Sequence, residues 1–245
     1  MSKYYYDFHI HSCLSPCGDD DMTPANIAGA STLAGLNIVA LTDHNTTKNC
    51  KAFLESAKQY GIIGVAGMEL TTAEDIHMVC LFERLSDADA FDEEIERHIV
   101  KIKNRPEIFG RQQVCDSEDN VLYEVEYLLS NATDISVDDV PDLVKRFNGV
   151  CFPAHIDRTA NGIVSVLGTF PQNLEVDCFE VHNISTAEEY IGRFNHLKDK
   201  VCLTGSDAHY LWDLRDAEDY IEIFDEPYSS ERVRGELFRY LRRNL

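Results

Sequence analysis

Nine histidines are spread over the 245 residues, and five of them fall at the ends of short apolar runs. His9 and His11 close the run DFHIH, His44 stands in ALTDHN, His155 in FPAH and His209 in LTGSDAH. Glu69 ends a further run in GMEL, Asp207 lies two residues before His209, and His77 opens HMVCLF. Imidazoles and carboxylates brought together bind divalent ions of borderline or hard character, such as zinc, manganese or iron. Each fragment alone has a plainer reading. An HxH on a strand is commonly surface decoration, an Asp-His pair after a strand can cap a helix, and Glu69 can be a solvated strand end. Those readings need separate explanations for HIH, TDH, GME, PAH and SDAH, whereas one metal centre accounts for all five.

Such a centre requires elements that deliver these side chains to one edge. Short apolar runs alternate with helical patterns along the chain, the sign of β–α units. Strands are predicted over residues 4–10, 37–42, 62–69, 77–82, 149–154, 178–182, 201–205 and 220–224. Helices are predicted from Thr23-Pro24 to Gly35 and over 48–60, 87–103, 137–147 and 229–243. Thr23 offers an N-cap, Pro24 suits the first helical position, and Gly35 suits the far end. Too few residues separate 62–69 from 77–82 for a crossover helix, so these strands should be antiparallel neighbours. In a β/α barrel the rim at the C-terminal strand ends assembles the active site. His77 starts an antiparallel strand and therefore belongs to that same rim. Residues 104–134 break the alternation with Pro106, Gly110 and the polar turn 116–120, which suggests a hairpin-bearing insertion and a candidate lid. The expectation is one barrel-like α/β domain over 1–245.

Composition narrows the function classes. Lys and Arg number 22 against 43 Asp and Glu, a formal charge of −21, with 44% hydrophobic and 27% charged residues. That balance is globular, and the length suffices for a core without staples. The acidic excess argues against duplex DNA and anionic membranes, which call for basic stripes. No run approaches the roughly 18 apolar residues of a membrane span. The start lacks the pattern of a signal peptide, so a cytoplasmic protein is expected. Of eight cysteines only Cys13 and Cys17 lie close in sequence, and most of the others sit in apolar runs as reduced core residues.

The segments DFHIHSCLSPCGDD, ALTDHN, GMELTTAEDIHMVCLF, PAHID and GSDAHY resemble the successive motifs of the PHP (polymerase and histidinol phosphatase) family. The resemblance implies a distorted seven-stranded, TIM-like β/α barrel with two or three divalent metals and phosphoesterase activity. On that template His9 and His11 join Glu69 and Asp207 around one metal. Glu69 bridges to a second held by His77 and His155, and His44 and His209 hold the third. Asp43, beside His44, is assigned to orienting a ligand. Family members often place a His or Asp seven or eight residues after the first metal histidine, where this chain has Pro16 and Cys17. Cys17 could coordinate as thiolate, favouring zinc or iron over manganese. Alternatively it is a loop thiol, and Asp19, Asp20 or Asp21 supplies the carboxylate.

The leading expectation is hydrolysis of a phosphate ester by a metal-activated water, with His44 or His209 relaying protons. Arg158, just after PAHID, is placed to grip a phosphate. His182 and Asn183 border the predicted pocket as second-tier candidates, and Arg111 and Gln112 reach it only if 104–134 is a lid. His98, His196 and Cys13 read as structural. The acidic charge points to a small phosphorylated substrate (a nucleotide, a sugar phosphate or an oligonucleotide end) and away from duplex nucleic acid. Two rivals are amidohydrolase-like amide or deamination chemistry and a metal-binding domain without turnover.

Overall fold

In the computed structural model, which describes residues 1–243, strands and helices alternate along the chain. β1 (Ser2–Asp7) leads through α1 (Pro24–Leu33) to β2 (Ile38–Leu41), then through α2 (Cys50–Tyr60) to β3 (Ile63–Thr71) and β4 (His77–Phe82). After α3 (Leu85–Ile95) come the short α4 (Pro106–Phe109), β5 (Gln113–Cys115), β6 (Val121–Glu124), α5 (Val140–Arg146) and β7 (Gly149–Pro153). The chain continues as α6 (Ile163–Leu167), β8 (Cys178–Val181), α7 (Ala187–Arg193), β9 (Val201–Thr204), β10 (Tyr220–Ile223) and α8 (Ser230–Leu241). The α1 signals act as expected: the Thr23 hydroxyl accepts from the Asn26 N–H, and Gly35 takes a left-handed φ of 81° beyond the helix end. α3 stops short of the predicted 103 because the chain there pairs with a later segment, through bridges from Ile99 to Thr133 and from Lys103 to Tyr127.

Six strands form one mixed sheet in the order β10-β1-β2-β3-β4-β7, while β8–β9 and β5–β6 are separate two-stranded pairs. β3 and β4 are antiparallel, as their short connection required, with Glu69 opposite Val79 and Thr71 opposite His77. The distorted seven-stranded barrel expected from the sequence is met in part, as a six-stranded half-barrel sheet beside a separate parallel pair. No ladder joins β7 to β8 or β9 to β1; isolated rim bonds span those gaps. Ile156 N–H donates to Glu180 O at 2.9 Å, Asp207 N–H to His9 O at 2.8 Å and His11 N–H to Ala208 O at 3.0 Å.

Side-chain alternation explains how this frame builds a site. One apolar cluster draws Tyr4, Ile38, Val65, Leu81, Phe152, Cys178, Leu203 and Ile221 from eight strands, with Val233, Leu237 and Phe238 of α8 packed against it. Alternate residues of the same strands, among them Val39, Met68, Cys80 and Cys151, pack on a second cluster shared with α1, α2, α3 and α5. Following the interior row along β3, Ile63 and Val65 give way to Gly67 and Glu69; along β4, Leu81 and Val79 give way to His77. The interior is thus apolar through most of its depth and turns polar at one end. β5 and β6, within residues 104–134, pack on the loop after β1 rather than standing free. Gln113 N–H donates to Cys13 O at 2.9 Å, and the Asp119 carboxylate accepts from Thr23 and Ala25.

Candidate metal centre

At the polar end Glu69 lies among five imidazoles. Its Oε1 is 3.0 Å from His9 Nε2, 2.9 Å from His77 Nδ1 and 3.2 Å from His155 Nε2. Its Oε2 is 3.2 Å from His11 Nε2 and 3.1 Å from His44 Nδ1. Asp207 Oδ1 completes a set with His9 and His11 at 3.4 and 3.2 Å, and the two Nε2 atoms are 3.3 Å apart. Tetrahedral ligands at metal–nitrogen distances of 2.0–2.1 Å are about 3.3 Å from one another, so this spacing fits a shared ion. Among the described residues three donor sets are tight enough for one: His9, His11, Glu69 and Asp207; His44, Glu69 and His77; and His11, His44 and His209.

The imidazoles are oriented by partners outside the donor set. His9 Nδ1 meets Glu180 Oε1 at 2.9 Å, His11 Nδ1 meets the Ser15 hydroxyl at 2.9 Å, and His209 Nδ1 meets the Asp207 carbonyl at 2.8 Å. An N–H donated on that side leaves a lone pair on Nε2, the tautomer a metal ligand needs. Asp43 works one step further back. Its carboxylate accepts from Ser12 N, Ser12 Oγ and Ser15 Oγ, each at 2.7 Å, and so fixes the hydroxyl that holds His11. Asp43 reaches no donor set directly.

Charge agrees with the geometry. Glu69, Asp207 and Glu180 are buried together, and beyond the imidazoles the Arg158 guanidinium reaches Asp207 Oδ2. Burial opposes charging His9, yet Glu180, Glu69 and Asp207 outweigh it and hold its pKa well above the ordinary value. Burial alone would raise Glu69; His77, His9 and His44 instead hold it well below the usual carboxylate range. A buried carboxylate cluster demands positive charge, and a divalent ion meets that demand at the same atoms. Backbone strain is stored here too: His155 and Asp207 have φ of 27° and 52°, a region costly for residues with a side chain.

Cys17, exposed on the loop after β1, faces His44 and His209. Burial of the sulfur would raise its pKa, but those two imidazoles lower it to about 5. Asp19, Asp20 and Asp21 join no donor set among the described residues. Asp19 accepts from Asp21 N, and Asp20 accepts from Gln113. Arg158 donates to Asp207 Oδ2 and reaches His182 at 3.1 Å, and Arg215 reaches the same ring at 2.9 Å. Asn183 turns to its own loop, where its side chain accepts from Ser185. Gln112 is buried and spent on Val125, Tyr127 and Leu129, while Arg111 is paired with Glu124. His98 pairs with Asp134, His196 packs by Phe170, and Cys13 lies against Cys115.

Glu180 escaped the sequence reading. It sits on the interior row of β8 in CFEV, where a carboxylate among apolar neighbours was the available signal. Besides His9 it accepts from the His155 N–H at 3.0 Å, bracing two segments across an unpaired gap. Gly205 is required beside it, since a Cβ there would lie 2.4 Å from Glu180 Oε2.

Comparison with known proteins bears on the family and the fold. The PHP domain family model matches residues 7–166. An uncharacterized protein of Methanocaldococcus jannaschii is 33% identical over 76 residues, covering 28% of this chain and 44% of that protein. The lesion-specific endonuclease Q of Pyrococcus furiosus shares the fold with a TM-score of 0.66 at 16% identity, over 98% of this chain and 56% of that one. A protein assigned as a metal-dependent phosphoesterase from Bifidobacterium adolescentis gives 0.55 at 16% identity, over 84% and 88%. The chain thus spans about half the length of the first two proteins. A second endonuclease Q structure, with a TM-score of 0.66 at 15% identity over 98% of this chain and 57% of that one, holds a 27-mer duplex with an abasic lesion at its active site. That finding overturns the expected restriction to small phosphorylated substrates and the exclusion of duplex nucleic acid. Net charge is a whole-surface sum and does not describe the local field at one site; here −21 coexists with Arg158 and Arg215 drawn together at the His182 ring. No helix among the described residues is long and apolar enough to cross a membrane.

Proposed function

The chain belongs to the PHP domain family and is a hydrolase of its metal-dependent phosphoesterase type, and we propose that it cleaves a phosphodiester bond in a nucleic-acid strand. The observation that carries this reading is Glu69, buried, with five imidazole nitrogens within 3.2 Å of its two oxygens. In this proposal His9, His11, Glu69 and Asp207 would hold one ion and Glu69 would serve a second with His44 and His77, His155 standing beside Glu69 Oε1. His209 and Cys17 extend the set outward beside His44 and His11. Bound divalent ions would supply an activated water and neutralise charge on the phosphoryl oxygens.

The chain's own residues do the remaining work. Glu180 and Ser15 fix the His9 and His11 rings so that both lone pairs point to one place. Arg158 has five donors, and with Asp207 and His182 engaged it keeps others for a phosphate oxygen. His209, with Nδ1 committed to the Asp207 carbonyl, presents Nε2 to the outer donor set beside His11 and His44.

The test pairs elemental analysis with cleavage of labelled oligonucleotides, single-stranded and duplex, with and without an abasic site. Two or more equivalents of divalent metal and strand scission abolished by chelation are expected. Metal-dependent release of phosphate from monoesters with no scission of any strand would overturn the nucleic-acid reading.

A further inference from the structure

The loop after β9 carries more than His209. Tyr210 and Trp212 follow it directly, with ring centroids 4.8 Å apart and planes within 16° of parallel. Leu211 between them packs against the core, and Asp213 N–H donates to Tyr210 O at 2.9 Å, so the two rings are turned outward together. Trp212 is 77% exposed and Tyr210 38%. Single exposed apolar residues are ordinary; two stacked rings beside a metal donor are a built surface. The same loop sends Arg215 to His182, which also meets Arg158. One short segment therefore offers an imidazole, an aromatic stack and a guanidinium.

We propose that Tyr210 and Trp212 form a stacking platform for a nucleobase neighbouring the phosphodiester at the metal centre. This deepens the phosphodiesterase reading and rests on it for the class of substrate. Every base has a π-face, so the platform holds a strand without reading its sequence, and stacking needs no favourable net charge. A ring already stacked on its neighbour loses little freedom when a base joins it.

Trp212 is the only tryptophan of the chain, so its emission reports the platform alone. The metal-loaded protein is titrated with a cleavage-resistant phosphorothioate hexanucleotide and with a hexamer of equal length lacking bases. The base-bearing strand should quench Trp212, and the base-free strand should not. By anisotropy of a labelled strand, Trp212→Ala should weaken binding about 5- to 150-fold, Tyr210→Ala less, and Trp212→Phe little. Unchanged affinity in Trp212→Ala, with strand cleavage intact in the parent, overturns the platform and leaves the phosphodiesterase reading standing. Base-dependent quenching without cleavage of any strand overturns the activity and supports the platform. Neither quenching nor cleavage overturns both.

Discussion

The metal centre has an inner and an outer part, and they are built differently. Around Glu69 the donors are buried except His77, which is partly exposed, and both strand-end histidines of the first run have a dedicated partner, Glu180 for His9 and Ser15 for His11. At the outer side His209 is about one-fifth exposed and Cys17 lies on the surface of its loop. Glu69 and His77 stand in the β3–β4 ladder, His44 bridges to Glu69, and just past β1 and β9 the backbone of His9 and His11 is tied to that of Asp207 and Ala208. The outer ones ride on the loops after β1 and β9. Strands position side chains more precisely than loops do, so the inner part should hold its ion without adjustment and the outer part should exchange more readily.

Glu69→Ala is the strongest way to break that comparison. Both carboxylate oxygens serve the donor sets, so their removal should empty the inner part entirely and disturb the outer part through His44. Turnover should fall by about 10³-fold or more, since bound metals supply several kcal/mol of charge stabilisation. Elemental analysis beside kinetics checks this; retention of a full metal complement would show that Glu69 is not the shared ligand. Glu180→Gln should act more gently. The amide oxygen can still accept from His9 and His155 but loses the charge that fixes His9, and metal affinity should fall about 10- to 100-fold with the fold retained. Unchanged affinity would mean the backbone alone sets the His9 ring.

The inner part was also the more legible one in the sequence. His9, His11, Glu69, His77 and His155 announce themselves because each stands at a strand end, and strand ends can be read from apolar runs. Glu180 was hidden because one acidic residue inside CFEV looks like any strand position until the neighbouring segments are folded against it. The barrel was legible as an α/β sheet but not in its strand pairing, for a similar reason: strand existence follows from local pattern, whereas pairing across β7–β8 and β9–β1 depends on distant chain. The donor grouping at His11, His44 and His209 was legible only in part, since two loops meet there with no periodicity to announce it. Arg215 and the aromatic pair went unnoticed because loop residues carry no pattern at all.

The smallest expected effect sharpens the outer side. Cys17 faces His44 and His209, and those imidazoles favour its thiolate. If the sulfur is an outer ligand, Cys17→Ser should lower metal content by a fraction of one equivalent while the inner complement stays. A hydroxyl is a poor anion at neutral pH, so activity should drop several-fold rather than vanish. Cys17→Asp restores a charged donor, which should recover much of the activity and shift preference from zinc toward manganese, because a carboxylate is the harder ligand. The fold should be unaffected in both, because the residue is exposed on its loop and only its sulfur turns in toward His44 and His209. Asp19, Asp20 and Asp21 point into loop hydrogen bonds or solvent, and their replacement by Asn should leave the metal content unchanged. A silent Cys17→Ser with full metal content, together with a loss in any one of those Asn variants, would move the outer ligand from the thiol to a carboxylate. That result would also erase the contrast in donor softness between the two parts and leave exposure as the difference between them.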